Sequence, residues 1–519
     1  MKQQFLYILI ALFTMSINAS QKQYSEPDFA FPKQVSSQAS EMLEKAVADG
    51  DGKLAVRALV NYGLAQCAVD NDSLPEVLQR ISTVESKETD PCIKAMLTLL
   101  KARIYNDIYQ DDRWKYDRRE IPDTPLPDDY LLWSGRQFRA RIMSLLDSAL
   151  ANPKPLHEAR LIDFKELLKA GNNDYTFYPT LFDFIAGKAI AILSNMGEQQ
   201  PIFAIDMLSP FTVYSKMNFN YQSPAAQRIL KLYRQLLDAH AGNAAPFIMW
   251  DIERIKFISQ HVYRDMSSYN AVRDNEAKLM LDLYNRFSQS EYAAEPLISL
   301  FYLIDLDNYN KEEMPVSIAE YYSLVNNQLK RYPEYFRNNA LHNIVKSLSQ
   351  PRINARYSQI LSPGDTLTID IKNNNTVDYT INVYRIPYNR NNGESFKITP
   401  STNLPAPLYT ISRKVTDKQV PFSSSSTEKV VLTQPGCYIV VPSITGQKRD
   451  ADLGYYSIIH CTGLLVESAN YGSSRWGIVI NPKTGRPVDN ATLTVTLNRN
   501  GNTVRNLSLI HISEPTRPY

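Results

Sequence analysis

Side chains able to do bond-making chemistry at neutral pH are few in this 519-residue chain, and their spacing limits what they can do. Six histidines occur, His157, His240, His261, His342, His460 and His511, and no two stand at a metal-ligand spacing such as His-Glu-x-x-His. His157 beside Glu158 and His261 beside Val262 read as helix-surface or helix-end residues. The four cysteines fall as two pairs, Cys67 with Cys92 and Cys437 with Cys461. An oxidising compartment permits one disulfide in each pair, while small buried thiols are equally ordinary, so both readings stay open. No Cys-x-x-Cys, Gly-x-Ser-x-Gly elbow, phosphate-binding loop or dinucleotide fingerprint is present. The expectation is a chain with no catalytic, metal-binding or cofactor-binding residue, not an enzyme, and with no cofactor.

Composition bounds the partners. Formal net charge is +2, and the densest charged stretch, Asp111 to Glu120, mixes both signs as a solvated loop or helix end does. Nucleic-acid binding asks for a clustered basic face, which is absent. Thirty-two tyrosines are best read as core, on helix faces such as Tyr284 and between strands such as Tyr379. Lys2, the apolar run Phe5 to Met15 and the small-residue exit Ser16 to Ser20 have the form of a secretory signal peptide over residues 1–20. The run is too short for a stable membrane anchor. An exported protein follows, in the periplasm, cell envelope or medium, with no membrane span once the signal is removed.

The elements that would position any site change character along the chain. Residues 36–350 are helical in pattern: Ile142, Leu145, Leu146 and Ala149 recur at helical spacing, as do Ile93, Met96, Leu97, Leu100 and Ile104, and Ala277, Met280, Leu281, Tyr284 and Phe287. Ser73-Leu-Pro-Glu76 has the form of a capping box, and Asp90-Pro91 that of a cap followed by proline at the first helical position. Glycine and proline punctuation at Gly50, Gly171, Gly242 and Pro122 to Pro127 suits antiparallel pairs, without a fixed repeat period. The pattern predicts an irregular, solenoid-like helical-pair region.

Near Pro351 the period becomes two. Leu367, Ile369 and Ile371, then Tyr379, Ile381 and Val383, then Val430 to Leu432 and Tyr438 to Val441 read as short strands, with turns at Pro363-Gly364 and Pro435-Gly436. They predict an immunoglobulin-like β-sandwich over residues 353–467, with Ser423 to Ser426 as a flexible loop tip. Trp476, Ile478 and Ile480, and then Ala491, Leu493, Val495 and Leu497, describe a hairpin about the Asn481 to Gly485 turn, opening a second, truncated sandwich over residues 469–506. Residues 507–519 resemble a reading frame of a transposon-end sequencing adapter, and the expectation is an assembly artefact there, with His511 carrying no function.

The Pro435-Gly436-x-Tyr438-x-Val440-Val441 strand followed by Lys483-Thr-Gly485-Arg-Pro487-Val-Asp-Asn-Ala491, after a helical region and a signal peptide, resembles the N-terminal part of Bacteroidetes-type α2-macroglobulin family proteins. The specific part of the resemblance spans residues 359–506. It implies macroglobulin (MG) domains within an endopeptidase inhibitor whose bait segment, once cut, lets the molecule close around the protease. No Cys-x-Glu-Gln thioester motif occurs, and no residue here corresponds to bait or catalyst. Proteases are then the partners of the whole protein. The alternative is a cell-envelope adhesion scaffold whose helical region binds an envelope protein and whose sandwiches act as spacers.

Overall fold

Proline and short polar side chains set where the helices start, and apolar stripes decide which faces they bury. The computed structural model describes residues 31–69, 73–119, 129–168, 174–196, 203–220, 223–262, 268–304, 315–387, 395–416, 419–446, 454–471, 474–489, 491–499 and 502–510. The signal-peptide reading over residues 1–20 and His511 lie outside them. The order is helices first and β-sheets after, as the change of period predicts. By internal contacts the described residues form two compact units, one within 31–304 together with 315 and 327–341, the other within 316–326 and 342–510.

The helices are α1 (Pro32–Asp49), α2 (Gly52–Val69), α3 (Leu74–Lys87), α4 (Pro91–Asp111), α5 (Gly135–Ala149), α6 (Pro153–Glu158), α7 (Leu181–Ser194), α8 (Pro224–Ala239), α9 (Ala244–His261), α10 (Ser268–Arg286), α11 (Ala294–Phe301), α12 (Ile318–Arg331) and α13 (Asn338–Ser349), with shorter turns between. Neighbours in sequence pack as pairs, α1 on α2, α4 on α5, α7 on α8 and α10 on α11. The expected stripes face inward: Ile142, Leu145, Leu146 and Ala149 of α5 are buried, as are Ile93, Met96, Leu97, Leu100 and Ile104 of α4 and Ala277, Met280 and Tyr284 of α10. Asp90 caps α4 as predicted, accepting the Cys92 amide at 2.7 Å. At α3 the capping box does not form. Ser73 makes no side-chain cap bond, and Glu76 instead accepts the Tyr62 hydroxyl at 2.7 Å, a longer-range bond that outcompetes the local one.

In the second unit, strands β1 (Arg352–Tyr357), β3 (Asp365–Asn374) and β7 (Ser423–Leu432) form one sheet in the order β1-β3-β7. A five-stranded sheet runs β2-β10-β8-β4-β6, from β2 (Ile360–Leu361), β10 (Ile459–Cys461), β8 (Gly436–Ile444), β4 (Asp378–Ile386) and β6 (Tyr409–Lys414). Between the sheets lie Leu367, Ile369 and Ile371 of β3, Tyr379, Ile381 and Val383 of β4, Val430 and Leu432 of β7, and Tyr438 and Val440 of β8. This is the alternating inner face the period-two pattern predicts. The outer face of β8 is covered as well: Cys437, Ile439 and Val441 pack with Ile386, Ile398 and Ile458 beneath the pair β5 (Ser395–Ile398) and β9 (Gly454–Ser457). Strand β8 is thus buried on both sides, which explains its unbroken apolar run.

Two sheet margins meet where β6 and β7 approach. Arg413 donates to both oxygens of Glu428 at 2.8 and 2.6 Å, and the Tyr409 hydroxyl donates to the Val431 carbonyl at 2.8 Å. At the start of the sandwich, Asn375 takes the left-handed conformation, φ 58°. Its Nδ2 donates to Leu348 O at 2.7 Å and Gln350 O at 3.3 Å, at the end of α13, while its Oδ1 accepts the Phe422 amide at 2.8 Å.

Two expectations about strands are corrected. Ser423 to Ser426 are not a loop tip but the first residues of β7, paired residue for residue with Asn374 to Ile371 of β3. Nor do residues 476–480 and 491–497 form one hairpin. Strand β12 (Ser474–Ile480) pairs with β11 (Leu465–Tyr471), and β13 (Thr492–Arg499) with β14 (Asn502–Ile510). The turn between β12 and β13 nonetheless forms as predicted, with Gly485 at φ 68° and its amide on the Asn481 carbonyl at 2.8 Å. After it, pairing is confined to the Ile480 and Pro487 bridge, held by Asn481 N on the Arg486 carbonyl and Val488 N on the Val479 carbonyl, each at 2.9 Å. Leu507–Ile510, the first residues of the adapter-like segment, lie in β14 opposite Val495–Thr492.

Candidate functional site

The most structured polar constellation is built on the first turn of α7. Thr180 caps that helix: its hydroxyl oxygen accepts the Asp183 amide at 3.2 Å, and the Asp183 carboxylate accepts the Thr180 amide at 2.9 Å and the Thr180 hydroxyl at 2.6 Å, all on Oδ2. The other carboxylate oxygen turns inward, accepting Trp250 Nε1 of α9 at 2.8 Å and meeting Nε2 of His240, the residue that closes α8, at 2.7 Å. Asp183 is 1% exposed, a position no lone carboxylate tolerates. Four donors make it tolerable, and one side chain thereby ties α7, α8 and α9 together. Because a carboxylate only accepts, His240 carries a proton on Nε2.

His157, in the last turn of α6, lies with its ring centroid 4.0 Å from that of Phe182. Burial pulls its pKa below the usual imidazole range, with Asp183 opposing and His240 reinforcing the shift, so the ring is neutral at pH 7. His157, Thr180, Phe182 and His240 border a cleft of about 640 Å³, whose remaining polar walls are Gln235, Asp238 and Asn243. An aspartate that orients a histidine is half of an acid–base device. The nucleophile is missing: the one hydroxyl lining the cleft, on Thr180, is committed to Asp183. Among the described residues no group of three or more His, Cys, Asp or Glu could hold a metal ion.

Sequence reasoning placed His157 at a helix end, where it is, but missed its grouping with His240, Asp183 and Trp250. The legible signal was Thr180-x-x-Asp183 ahead of an apolar run, a capping box in the sequence sense. What remained hidden was that the free carboxylate oxygen faces two other helices. His261 ends α9 as expected, with Nδ1 2.7 Å from the Phe257 carbonyl. No described helix is long and apolar enough to cross a membrane.

The cysteines do not form the site that pairing would have made. All four are free and buried. Cys437 lies opposite His460 in the β8–β10 ladder, and Cys461 opposite Gly436, so the two thiols project from opposite faces of one sheet. Cys437 belongs to the outer core and Cys461 to the inner one, and no disulfide bridges a sheet from face to face. The possible Cys437–Cys461 disulfide is therefore withdrawn. Burial raises the Cys67 thiol to about 12 and the Cys92 thiol to about 11, so both are protonated and inert at neutral pH.

No family model and no curated protein matches the chain. Among solved structures it is similar to native α2-macroglobulin from Escherichia coli spanning domains MG0-NIE-MG1, at 15% identity and a TM-score of 0.22, over 31% of this chain and 54% of that one. It is also similar to the alkylpurine DNA glycosylase AlkC of Pseudomonas fluorescens bound to DNA containing an abasic site analog, at 11% identity and a TM-score of 0.15, over 84% and 97%. The chain thus spans about half the length of that α2-macroglobulin structure.

Proposed function

We propose that this chain is the N-terminal scaffold of an exported α2-macroglobulin-like endopeptidase inhibitor, a non-catalytic part of a molecule that encloses proteases after they cut a bait segment lying outside this sequence. The observation that carries the reading is the succession of β-modules on a short connection. A two-sheet sandwich with Pro435-Gly436-x-Tyr438-x-Val440-Val441 along its doubly buried strand ends at Cys461, and the next β-pair opens at Leu465. Its turn bears Lys483-Thr-Gly485-Arg-Pro487, and Lys483 reaches back to the first sandwich, 3.0 Å from the Asp365 carboxylate and 3.3 Å from the Pro363 carbonyl. Closely spaced sandwiches are what a cage needs, because a bait cut is transmitted only through units that hold their shape.

The test uses the complete gene product. After incubation with a trypsin-like protease it should leave cleavage of a small chromogenic peptide intact while digestion of casein falls, the signature of enclosure without active-site blockage. Residues 21–506 alone should neither hydrolyse casein nor inhibit the protease. Casein digestion that continues unimpaired, or a peptidase domain in the complete product, overturns the proposal.

A further inference from the structure

We infer that the cleft beside Asp183 binds a small organic cation, a guanidinium or primary ammonium group carried on apolar carbons. Its walls supply acceptors and no lysine or arginine. Asp238 is exposed at the end of α8, its carboxylate in no described bond. Gln235 and Asn243 add amide oxygens, and Asn243, though it caps α9, makes no side-chain cap bond.

The fields sum to a negative potential at the cleft. The C-terminal end of α8, a sixteen-residue helix, contributes Asp238, Ala239 and His240, and a helix C-terminus carries roughly half a negative charge. The N-terminus of α9 works against this with a similar half charge. The N-terminus of α7 is already met by Asp183, and the formal charge on Asp238 decides the balance. The half-buried His157 ring, backed by Phe182, supplies a flat neutral surface on which a guanidinium can stack, and Pro153 and Pro179 give apolar contact for the carbons that carry it. A volume of about 640 Å³ holds such a group with its aliphatic stem.

The experiment titrates the whole chain by calorimetry with agmatine and its neutral urea isostere, and with an arginine-containing peptide beside its citrulline counterpart. The charged member of each pair should bind at least about tenfold more tightly, and D238N should weaken it about fivefold with an unchanged melting temperature. His157→Ala should weaken agmatine while the urea isostere changes little. Binding of the peptide but not of agmatine identifies a protein side chain as the source of the cation; the reverse identifies a free amine. Equal binding of charged and neutral partners, indifference to D238N, or no binding of either cation overturns the inference.

Discussion

Asn375 shows how much one residue can hold at the entry to the sandwich. It satisfies two carbonyls at the end of α13 and one amide at the start of β7 while standing in a backbone region that side chains other than Asn and Gly rarely occupy. Asn375→Ala removes the side-chain bonds to Leu348 O and Phe422 N and adds backbone strain, and should cost about 2–4 kcal/mol of urea-measured stability in this unit. Asn375→Gly removes the strain but not the lost bonds, and should recover about 1 kcal/mol of that. Equal losses would show that the conformation costs nothing. Asp107 of α4 makes a pH-dependent contribution. Burial is the main cause that raises its pKa from 3.8 to about 6, against the pull of Arg103. Between those values the folded state holds a proton that the unfolded chain has released, so stability declines as pH rises through that window, by about 3 kcal/mol in full. Lys188 of α7, which burial lowers from 10.5 to about 8, acts in the opposite sense: the unfolded chain holds the extra proton, and stability rises from pH 8 to 10.5. Asp107→Asn should flatten the acid-side slope of denaturant midpoint against pH and leave the alkaline slope in place. An unchanged acid slope would assign it elsewhere. The thiols give a plainer check: unfolded protein should titrate all four cysteines with or without prior reductant. Two missing thiols would restore a disulfide.

Among the elements, β8 separates two cores. Ile439 is fully buried on the outer side, Val440 almost so on the inner. Ile439→Ala should cost about 2–4 kcal/mol and speed hydrogen exchange in β5 and β9 above the slower exchange of β3. Loss of protection spread evenly over both sheets would show one core instead of two. The strand Tyr438 to Val441 was legible because valine and isoleucine favour pleated backbone whichever side they face. Its second covering layer was not, since nothing in Ser395–Ile398 or Gly454–Ser457 says which sheet they lie on. Serines at 423–426 misled for the opposite reason. Their low strand preference reads as loop, but β3 supplies a full ladder of backbone partners and Ser424 receives the Asn373 amide at 3.2 Å, so tertiary context overrides propensity. The β12–β13 turn was read correctly from Asn481 and Gly485, yet strand pairing around it is a long-range choice that turn chemistry does not fix.

At the scale of the molecule, the passage from helices to sheets near residue 351 follows from apolar spacing alone. The cleft does not: Thr180, His240 and Trp250 are far apart in sequence, and only packing brings them to one carboxylate. The two compact units each have their own core, so scanning calorimetry should resolve more than one transition, with tryptophan fluorescence reporting the helical unit through buried Trp133 and Trp250. One transition, coincident by fluorescence and calorimetry, would show a single cooperative block. The corner where β6 meets β7 has a consequence for life in company. An outermost strand ordinarily templates further strands from other copies, and long rows of such modules are a hazard for fibre growth. Here the Arg413–Glu428 clasp and the Tyr409 bond stitch that margin shut, and the largely exposed Tyr409–Lys414 strand ends in two positive charges. A crowded solution of this protein should therefore stay clear of zipper-like aggregates at that rim.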